Sequence, residues 1–361
     1  VAKTEKTDKA QPVAAPKSLA EEKQQRFLDA LDGMRKKYGP EAATAFGLDD
    51  ETVKSVCSIE VIPTGILSVD RATRVGGIPR GRVTEILGPE SSGKTTLCLH
   101  TIAQAQAMGL KAAYVDLENA LEGKHMKSIG INRLDIFYPE TAEDALQMVE
   151  DLVKSNAVDI IVVDSVSAMS PKLEQEKDIG NTQPGRQAAL MSEALRRLVG
   201  IIRKSRCAVV FINQLRMKIG VMYGNPETTS GGNALKFYAS IRIDMRRKQT
   251  LKSGSEAYAN EVQAKVIKNK VGTPFAEETF TMFYDATRTV AANSLEVGAQ
   301  LGIVSKSGNW YEFNGEKLGN GLANSVEALI KEPKRVDAIL KLCRDPKLLY
   351  RKTAAISNDV L

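Results

Sequence analysis

Histidine is nearly absent from this chain of 361 residues: only His100 and His125 occur, which excludes a histidine-rich metal centre. The cysteines Cys57, Cys98, Cys207 and Cys343 stand far apart with no C-x-x-C pair, which points to reduced thiols rather than disulfides or a zinc site. No apolar run reaches the ~18–20 residues that a membrane span needs. The N-terminal stretch has lysines but no apolar secretory segment, so a cytoplasmic protein with no membrane partner is expected. Charge of one sign is also scarce. A net +6 is compatible with nucleic acid but does not by itself establish it. What is plentiful is apolar bulk, 43% of residues, enough for one large domain and one or two small ones.

Residues 88–95 read Gly88-Pro89-Glu90-Ser91-Ser92-Gly93-Lys94-Thr95, filling the pattern G-x-x-x-x-G-K-[ST]. The β-prone run Arg82–Leu87 precedes it, and Thr96–Ala103 follows with helical spacing. The motif therefore sits on the strand–loop–helix turn that its physics requires. Backbone N–H groups there would cradle phosphates, Lys94 would reach the β/γ-phosphates of ATP, and the Thr95 hydroxyl would bind Mg²⁺.

The rest of the chain divides by pattern. Residues 1–17 carry almost no large apolar side chains and read as a disordered tail. Over 18–58 an N-terminal helical arm is expected. Ser18 and Glu21 form a capping box, and Phe27, Leu28, Leu31 and Met34 make one apolar stripe. From 59 to 289 apolar strands alternate with helices, which predicts an α/β core on a mostly parallel sheet covered on both faces. Strands are expected at 83–87, 112–116, 159–164 and 207–212, then antiparallel ones near 238–247, 259–269 and 277–284. Residues 290–361 read as a small α+β domain with a hairpin around Trp310 and Asn314-Gly315.

Further chemistry lies downstream of the loop. Asp164 ends the buried run Ile160-Ile161-Val162-Val163, where a carboxylate beside a phosphate loop orders the Mg²⁺ shell. Glu118 lies just past the 112–116 strand, where a carboxylate would orient and deprotonate the attacking water; Asp116 and Glu122 compete for that role. Asn213-Gln214 follows the fourth strand, where an amide would report the γ-phosphate to the segment beyond it. That segment, Leu215 to Gly232, mixes Arg216 and Lys218 with Met217, Ile219, Val221, Met222 and Tyr223, and with Gly220, Gly224, Gly231 and Gly232. Cations beside wedge residues suit contact with stacked bases. A second such loop runs from Glu174 to Gly185, with Lys177, Gly180, Pro184 and Gly185, followed by Arg186, Arg196 and Arg197. Arg246-Arg247-Lys248 and Lys268-Asn269-Lys270 are read as strand ends carrying cations.

Three segments together resemble the bacterial-type RecA recombinase, over about residues 19–330. They are Gly88 to Thr96, Val162-Val163-Asp164-Ser165-Val166, and the long run Phe211 to Ser240. The resemblance implies a RecA-type P-loop NTPase fold, with nucleotide contacts from Gly88 to Thr96. It implies an ATP- and Mg²⁺-dependent protein that forms homo-oligomeric helical filaments on single-stranded DNA and exchanges strands with duplex DNA, in recombination, repair and the SOS response. It puts the catalytic glutamate on Glu118 and the γ-phosphate sensor on Gln214. It puts the DNA-binding loops on about 176–185 and 215–229, and the lysines that reach the neighbouring subunit's ATP on Lys268 and Lys270. Glu122, His125 and Tyr284 fall near the nucleotide, Phe237 at the subunit interface, and Arg246 and Lys306 on DNA-facing ground. The helix at 18–38 corresponds to the arm that docks on the adjacent subunit. Loader proteins and a LexA-type repressor are partners by the same analogy.

The chain departs from the family pattern at several positions. Asn119 stands where histidine is usual, His125 where a tyrosine stacks on adenine, and Gly123 where proline is usual. Pro184 stands for methionine, Ala189 for arginine and Leu322 for lysine. From Lys331 to Leu361 there are eight basic and four acidic residues, the reverse of the family's acidic tail, so ready duplex binding is expected. A hexameric DNA helicase and a non-catalytic ATP-gated DNA scaffold are the competing readings.

Overall fold

The computed structural model describes residues 18–39, 59–176, 185–217 and 227–345, which belong to two units divided between Ser58 and Ile59. The expected tail at 1–17 lies outside the described residues. The first unit contributes helix α1 (Leu19–Tyr38). Its capping box is formed: Glu21 donates its N–H to the Ser18 hydroxyl at 3.3 Å, and Ser18 donates its own to the Glu21 carboxylate at 2.7 Å. Glu21 and Glu22 in the first turn and Arg35, Lys36 and Lys37 in the last complement the helix dipole. No residue of α1 is buried, and Phe27 and Met34 on its stripe are 62% and 51% exposed.

In the second unit, strand β1 (Val61–Ile62) pairs with β2 (Ile78–Pro79), and α2 (Leu67–Ala72) lies between them in sequence. The alternating core then runs β3 (Val83–Gly88), α3 (Lys94–Ala107), β4 (Ala112–Asp116), α4 (Gly123–Ile129), β5 (Asp135–Phe137), α5 (Ala142–Lys154) and β6 (Ile160–Asp164). It continues through a 3₁₀ turn at Val166–Ala168, α6 (Lys172–Gln175), α7 (Arg186–Ser205) and β7 (Ala208–Met217). Strand β8 (Glu227–Thr229), α8 (Ala234–Tyr238), β9 (Ile241–Ser253), β10 (Glu256–Asn269) and β11 (Glu277–Phe283) complete the large sheet. Its order is β11-β10-β9-β3-β7-β6-β4-β5, with β8 on β7.

The central strands read as near-continuous apolar runs because both faces are covered. Ile160 and Val162 pack on one side with Leu97 and Ile102 of α3, while Ile161 and Val163 pack on the other with Val149 of α5 and Leu195 of α7. Burying each such side chain is worth roughly 1.5–3 kcal/mol. Register then sets the site. Parallel pairing puts Gly88 opposite Gln214 and Asp116 opposite Asp164, so the ends of β3, β7, β6 and β4 lie together at the carboxyl edge of the sheet.

Three expectations are corrected here. Strand β9 is not simply antiparallel: Ile241–Asp244 pair parallel to β3, and the strand's other edge pairs antiparallel with β10. Arg246-Arg247-Lys248 are therefore in mid-strand rather than at an end. Arg216 and Met217, read as loop, extend β7, because they find partners in Thr228 and Glu227.

The C-terminal piece follows: α9 (Ala286–Gln300), β12 (Ser305–Ser307), β13 (Trp310–Phe313), β14 (Glu316–Asn320), α10 (Leu322–Lys331) and α11 (Pro333–Cys343). The hairpin turns at Asn314 and Gly315, both at positive φ (52° and 81°), as a tight turn between twisted strands demands. Leu295, Phe313, Leu329 and Ile339 form its core, which is continuous with Leu67 and Phe283.

Candidate active site

The phosphate loop is shaped by two glycines that no other residue could replace. A Cβ on Gly88 would lie 2.2 Å from the Met245 carbonyl oxygen, and one on Gly93, at φ +89°, would lie 2.6 Å from Met282 Sδ. Helix α3 starts directly at Lys94 with no side-chain cap, leaving its first N–H groups to face the loop. A cavity of about 180 Å³ opens there, lined among others by Ser92, Lys94, Thr95, Glu118, Asp164 and Gln214.

Lys94 is buried, and its Nζ donates to the loop carbonyls of Gly88 (3.2 Å) and Pro89 (2.7 Å). Burial lowers its pKa, opposed by the carboxylates of Asp164, Glu118 and Glu90. The Ser92 hydroxyl is buried with no hydrogen-bond partner among the described residues. An ammonium, open helical N–H groups and an orphan hydroxyl together fit a phosphate group. Thr95 Oγ1 donates to Asp164 Oδ2 at 2.7 Å, and Tyr114 donates to the same oxygen at 2.7 Å. Burial raises the Asp164 pKa, and these two bonds pull it back. A hydroxyl and a carboxylate oxygen side by side are the hard donors that a magnesium ion or its water shell requires.

The geometry separates the three competing carboxylates. Asp116 is buried, and its Oδ1 accepts the N–H groups of Glu118 (3.1 Å) and Asn119 (2.8 Å), so it ties the turn in which Asn119 adopts φ +52°. Glu118 instead faces the cavity. Its Oε1 accepts the Gln214 side-chain amide at 3.0 Å and the Ser165 hydroxyl. Glu122 is exposed ahead of α4 and does not line the cavity. Tyr114 and Ser165 were not singled out from the sequence, where nothing in their spacing tells which way a hydroxyl turns.

A second hollow of about 330 Å³ adjoins the loop on its other side, lined among others by Gly93, Thr96, His125, Asn260, Met282 and Tyr284. His125 Nε2 lies 3.5 Å from Thr96 Oγ1, and the Tyr284 hydroxyl donates to Asn260 at 3.3 Å. A larger hollow of about 690 Å³, among Gln300, Lys306 and Tyr311, has no loop residue in its lining.

The residues expected to face DNA are dispersed. Lys177, Gly180, Pro184, Lys218, Ile219, Gly220, Val221, Met222 and Tyr223 lie outside the described residues. Gly185, at φ +88°, starts α7. Arg186 is half-buried and Arg196 exposed. Arg216 donates to the Ser230 hydroxyl at 2.7 Å, and Met217 is exposed. Arg246 forks onto Glu227 at 2.9 and 2.6 Å and reaches Asp244 as well, and these bonds raise its pKa. Gly231 and Gly232 pack against Val166 and Ala188. Lys268 and Lys270 both donate to the Phe237 carbonyl at 3.0 Å, beside a Phe237 ring that is exposed, and neither lines its own subunit's phosphate cavity. Lys306 is exposed, 5.2 Å from the Tyr311 ring centre.

Comparison with known proteins matches most of the chain to one family. The RecA N-terminal domain model matches residues 25–288 and the RecA C-terminal domain model residues 292–346. Protein RecA of Roseiflexus sp. (strain RS-1) is 48% identical over 329 residues, covering 91% of this chain and 92% of that protein. Protein RecA of Geobacter sulfurreducens is 47% identical over 338 residues, covering 93% of this chain and 99% of that one. Methylobacterium radiotolerans Protein RecA is 49% identical over 307 residues, covering 84% of each. With both domains matched in sequence order and relatives near one half identical across almost their whole length, the chain belongs to the RecA family.

Proposed function

We propose that this chain couples ATP hydrolysis to homologous pairing. It assembles as a helical filament on single-stranded DNA and exchanges strands with a homologous duplex. The family is one of DNA-dependent ATPases of homologous recombination. The observation that carries the specific reading is the shared hydrogen bonding of Glu118 with Gln214 and Ser165 at the mouth of the phosphate cavity. It joins a general base to the strand that leads into the second DNA segment.

Each residue has a part. Lys94 leaves the carbonyls of Gly88 and Pro89 to meet the β/γ-phosphates of ATP, a preorganised charge exchanged from one set of oxygens to another. Thr95 and Asp164 hold Mg²⁺, which supplies neutralisation of phosphate charge. Glu118 takes the proton of the attacking water. Gln214 exchanges its bond to Glu118 for one to the γ-phosphate, releasing the carboxylate when ATP is present. His125 and Tyr284 flank the base in the adjoining hollow. Lys268 and Lys270 complete the neighbouring subunit's site, as an arginine finger does. The segments around 176–185 and 215–229 hold single-stranded DNA, with the Arg246–Glu227 pair anchoring the second. Lys306 guides duplex DNA, and α1 docks on the next subunit.

The test is ATP hydrolysis with and without single-stranded DNA, beside electron microscopy of the same mixtures. Stimulated turnover with helical filaments is expected. Closed rings without filaments would favour the helicase reading, and DNA binding without turnover would favour a scaffold.

A further inference from the structure

Gln187, the second residue of α7, uses its whole side-chain amide in three directions. Its Nε2 donates to the carbonyls of Val166 (2.8 Å) and Met169 (2.9 Å), at the two ends of the 3₁₀ turn that follows β6. Its Oε1 accepts the Gly231 N–H at 3.2 Å. One side chain therefore fastens together the helix that follows one proposed DNA segment, the chain that leaves the other, and the turn between.

Packing leaves no slack at this junction. A Cβ on Gly231 would lie 2.9 Å from Val166 Cγ1, and one on Gly232 would lie 2.6 Å from Ala188 Cβ. Both glycines adopt positive φ, 75° and 73°, so the backbone there is held in one shape. Elements in direct contact pass a displacement on rather than absorb it.

The turn so fastened carries the groups that hold the general base. Ser165, directly before it, donates to Glu118 Oε1. Ser167, within it, accepts the Gln214 N–H at 3.1 Å and donates to Asn213 Oδ1 at 3.4 Å. Asn213 in turn donates to the Ser230 carbonyl at 3.0 Å, next to Gly231. A shift of α7 or of Gly231 thus reaches Glu118 through a single turn of backbone.

We propose that Gln187 is a positioning residue that transmits DNA binding to Glu118: its side-chain amide sets how far DNA stimulates hydrolysis, not how tightly nucleotide or DNA is held. This rests on the reading above that the two segments hold single-stranded DNA. No other side chain among those discussed joins both segments to the turn.

Q187M keeps length and apolar volume but has neither donor nor acceptor. Q187E keeps the length and the acceptor that meets Gly231, and provides a second variant should the first not fold. For each, kcat and KM for ATP are measured with and without single-stranded DNA, together with DNA affinity in a non-hydrolysable ATP analogue. DNA-stimulated kcat is expected to fall about tenfold, the size of a typical coupling between sites. Unstimulated kcat and the KM for ATP should change by less than about twofold, and DNA affinity by less than about threefold, since neither depends on the coupling. In a double-mutant cycle, S165A should add little to Q187M if both act along one path.

An equal fall in stimulated and unstimulated turnover would make Gln187 mere structural support, and additive effects with S165A would break the path. Both results overturn the proposal, as does unaltered stimulation in a folded variant. If wild-type protein shows no stimulation by DNA, the recombinase reading falls and this proposal with it. A stimulated wild type with unaffected variants sinks this proposal alone.

Discussion

Gln214 donates its side-chain amide to Glu118 at 3.0 Å, across the gap between β7 and the turn after β4. The bond joins a residue placed by register opposite Gly88 to a carboxylate that the phosphate cavity exposes. In the proposed mechanism this bond holds Glu118 by one oxygen until a phosphate oxygen competes for the amide. Replacing Glu118 should therefore separate binding from turnover. E118Q is expected to bind ATP and DNA and to slow hydrolysis by about 10²–10⁴-fold, the usual worth of a general base. Single-turnover hydrolysis beside a DNA-filament assay checks it. D116N should behave differently. Its loss is one of stability, about 1–3 kcal/mol for a weakened buried acceptor of two N–H groups. A large rate defect in D116N with E118Q active would put the base on Asp116.

Lys94 is already desolvated and already bonded to carbonyl oxygens. In its proposed role on the phosphates it would need little further desolvation. K94A should lower turnover by at least about 10²-fold, the cost of one preorganised donor in a dry site, and should abolish strand exchange. Turnover near wild type in K94A would remove the phosphate-loop assignment.

Lys268 and Lys270 converge on the last carbonyls of α8, the short helix that presents Phe237. Burial, with Lys270 and Arg242 nearby, lowers the Lys268 pKa to about 8. In the single subunit these cations cap a helix end. In a filament they are proposed to serve the neighbour's ATP. Exchanging both for methionine should erase DNA-stimulated hydrolysis while dilute subunits still bind nucleotide normally. A fluorescent ATP analogue titrated below the assembly concentration tests this, and a binding defect there would place both lysines in their own subunit's site.

The site was legible in the sequence to the extent that its chemistry is contiguous. Residues 88–95 carry the whole phosphate loop, and the apolar run into Asp164 announces a buried strand with a carboxylate at its end. Pattern alone left Asp116 and Glu118 in competition, and the hydrogen bonds that distinguish them were not legible. The choice depends on which carboxylate turns back onto the backbone, and the two lie only two residues apart. The loop assignment of Arg216 and Met217 failed for a similar reason: their strand character comes from pairing with Thr228 and Glu227, a contact between segments that local pattern does not encode. The pairing of Arg246 with Glu227 is not visible in local pattern because the acid lies 19 residues away in sequence. The short β1, β2 and β5 and the helices α2 and α4 carry too few residues to show a period.

Asp70 gives the fold a pH dependence that can be isolated. It is 1% exposed. Its Oδ1 accepts the N–H and the hydroxyl of Thr64, each at 2.7 Å, while Oδ2 is buried without a partner among the described residues. Neighbouring Arg71 turns instead to Gln300 at 2.8 Å and Glu278 at 3.7 Å. Burial therefore outweighs the Thr64 bonds and the charge of Arg344, and raises the Asp70 pKa from 3.8 to about 6. With its pKa raised, the folded state binds the proton more tightly than the unfolded one. The stabilisation is complete below the unfolded value and is lost as pH rises through the folded one. The loss is on the order of 3 kcal/mol between about pH 4 and pH 7, at 1.36 kcal/mol per pH unit. D70N still offers an oxygen to Thr64 but does not titrate. Urea unfolding of both proteins across this range should show wild type losing stability relative to D70N as pH rises, with every other carboxylate cancelling in the difference. A gap that stays constant, or that moves in favour of wild type, would mean that Asp70 is ionised in the fold at little cost.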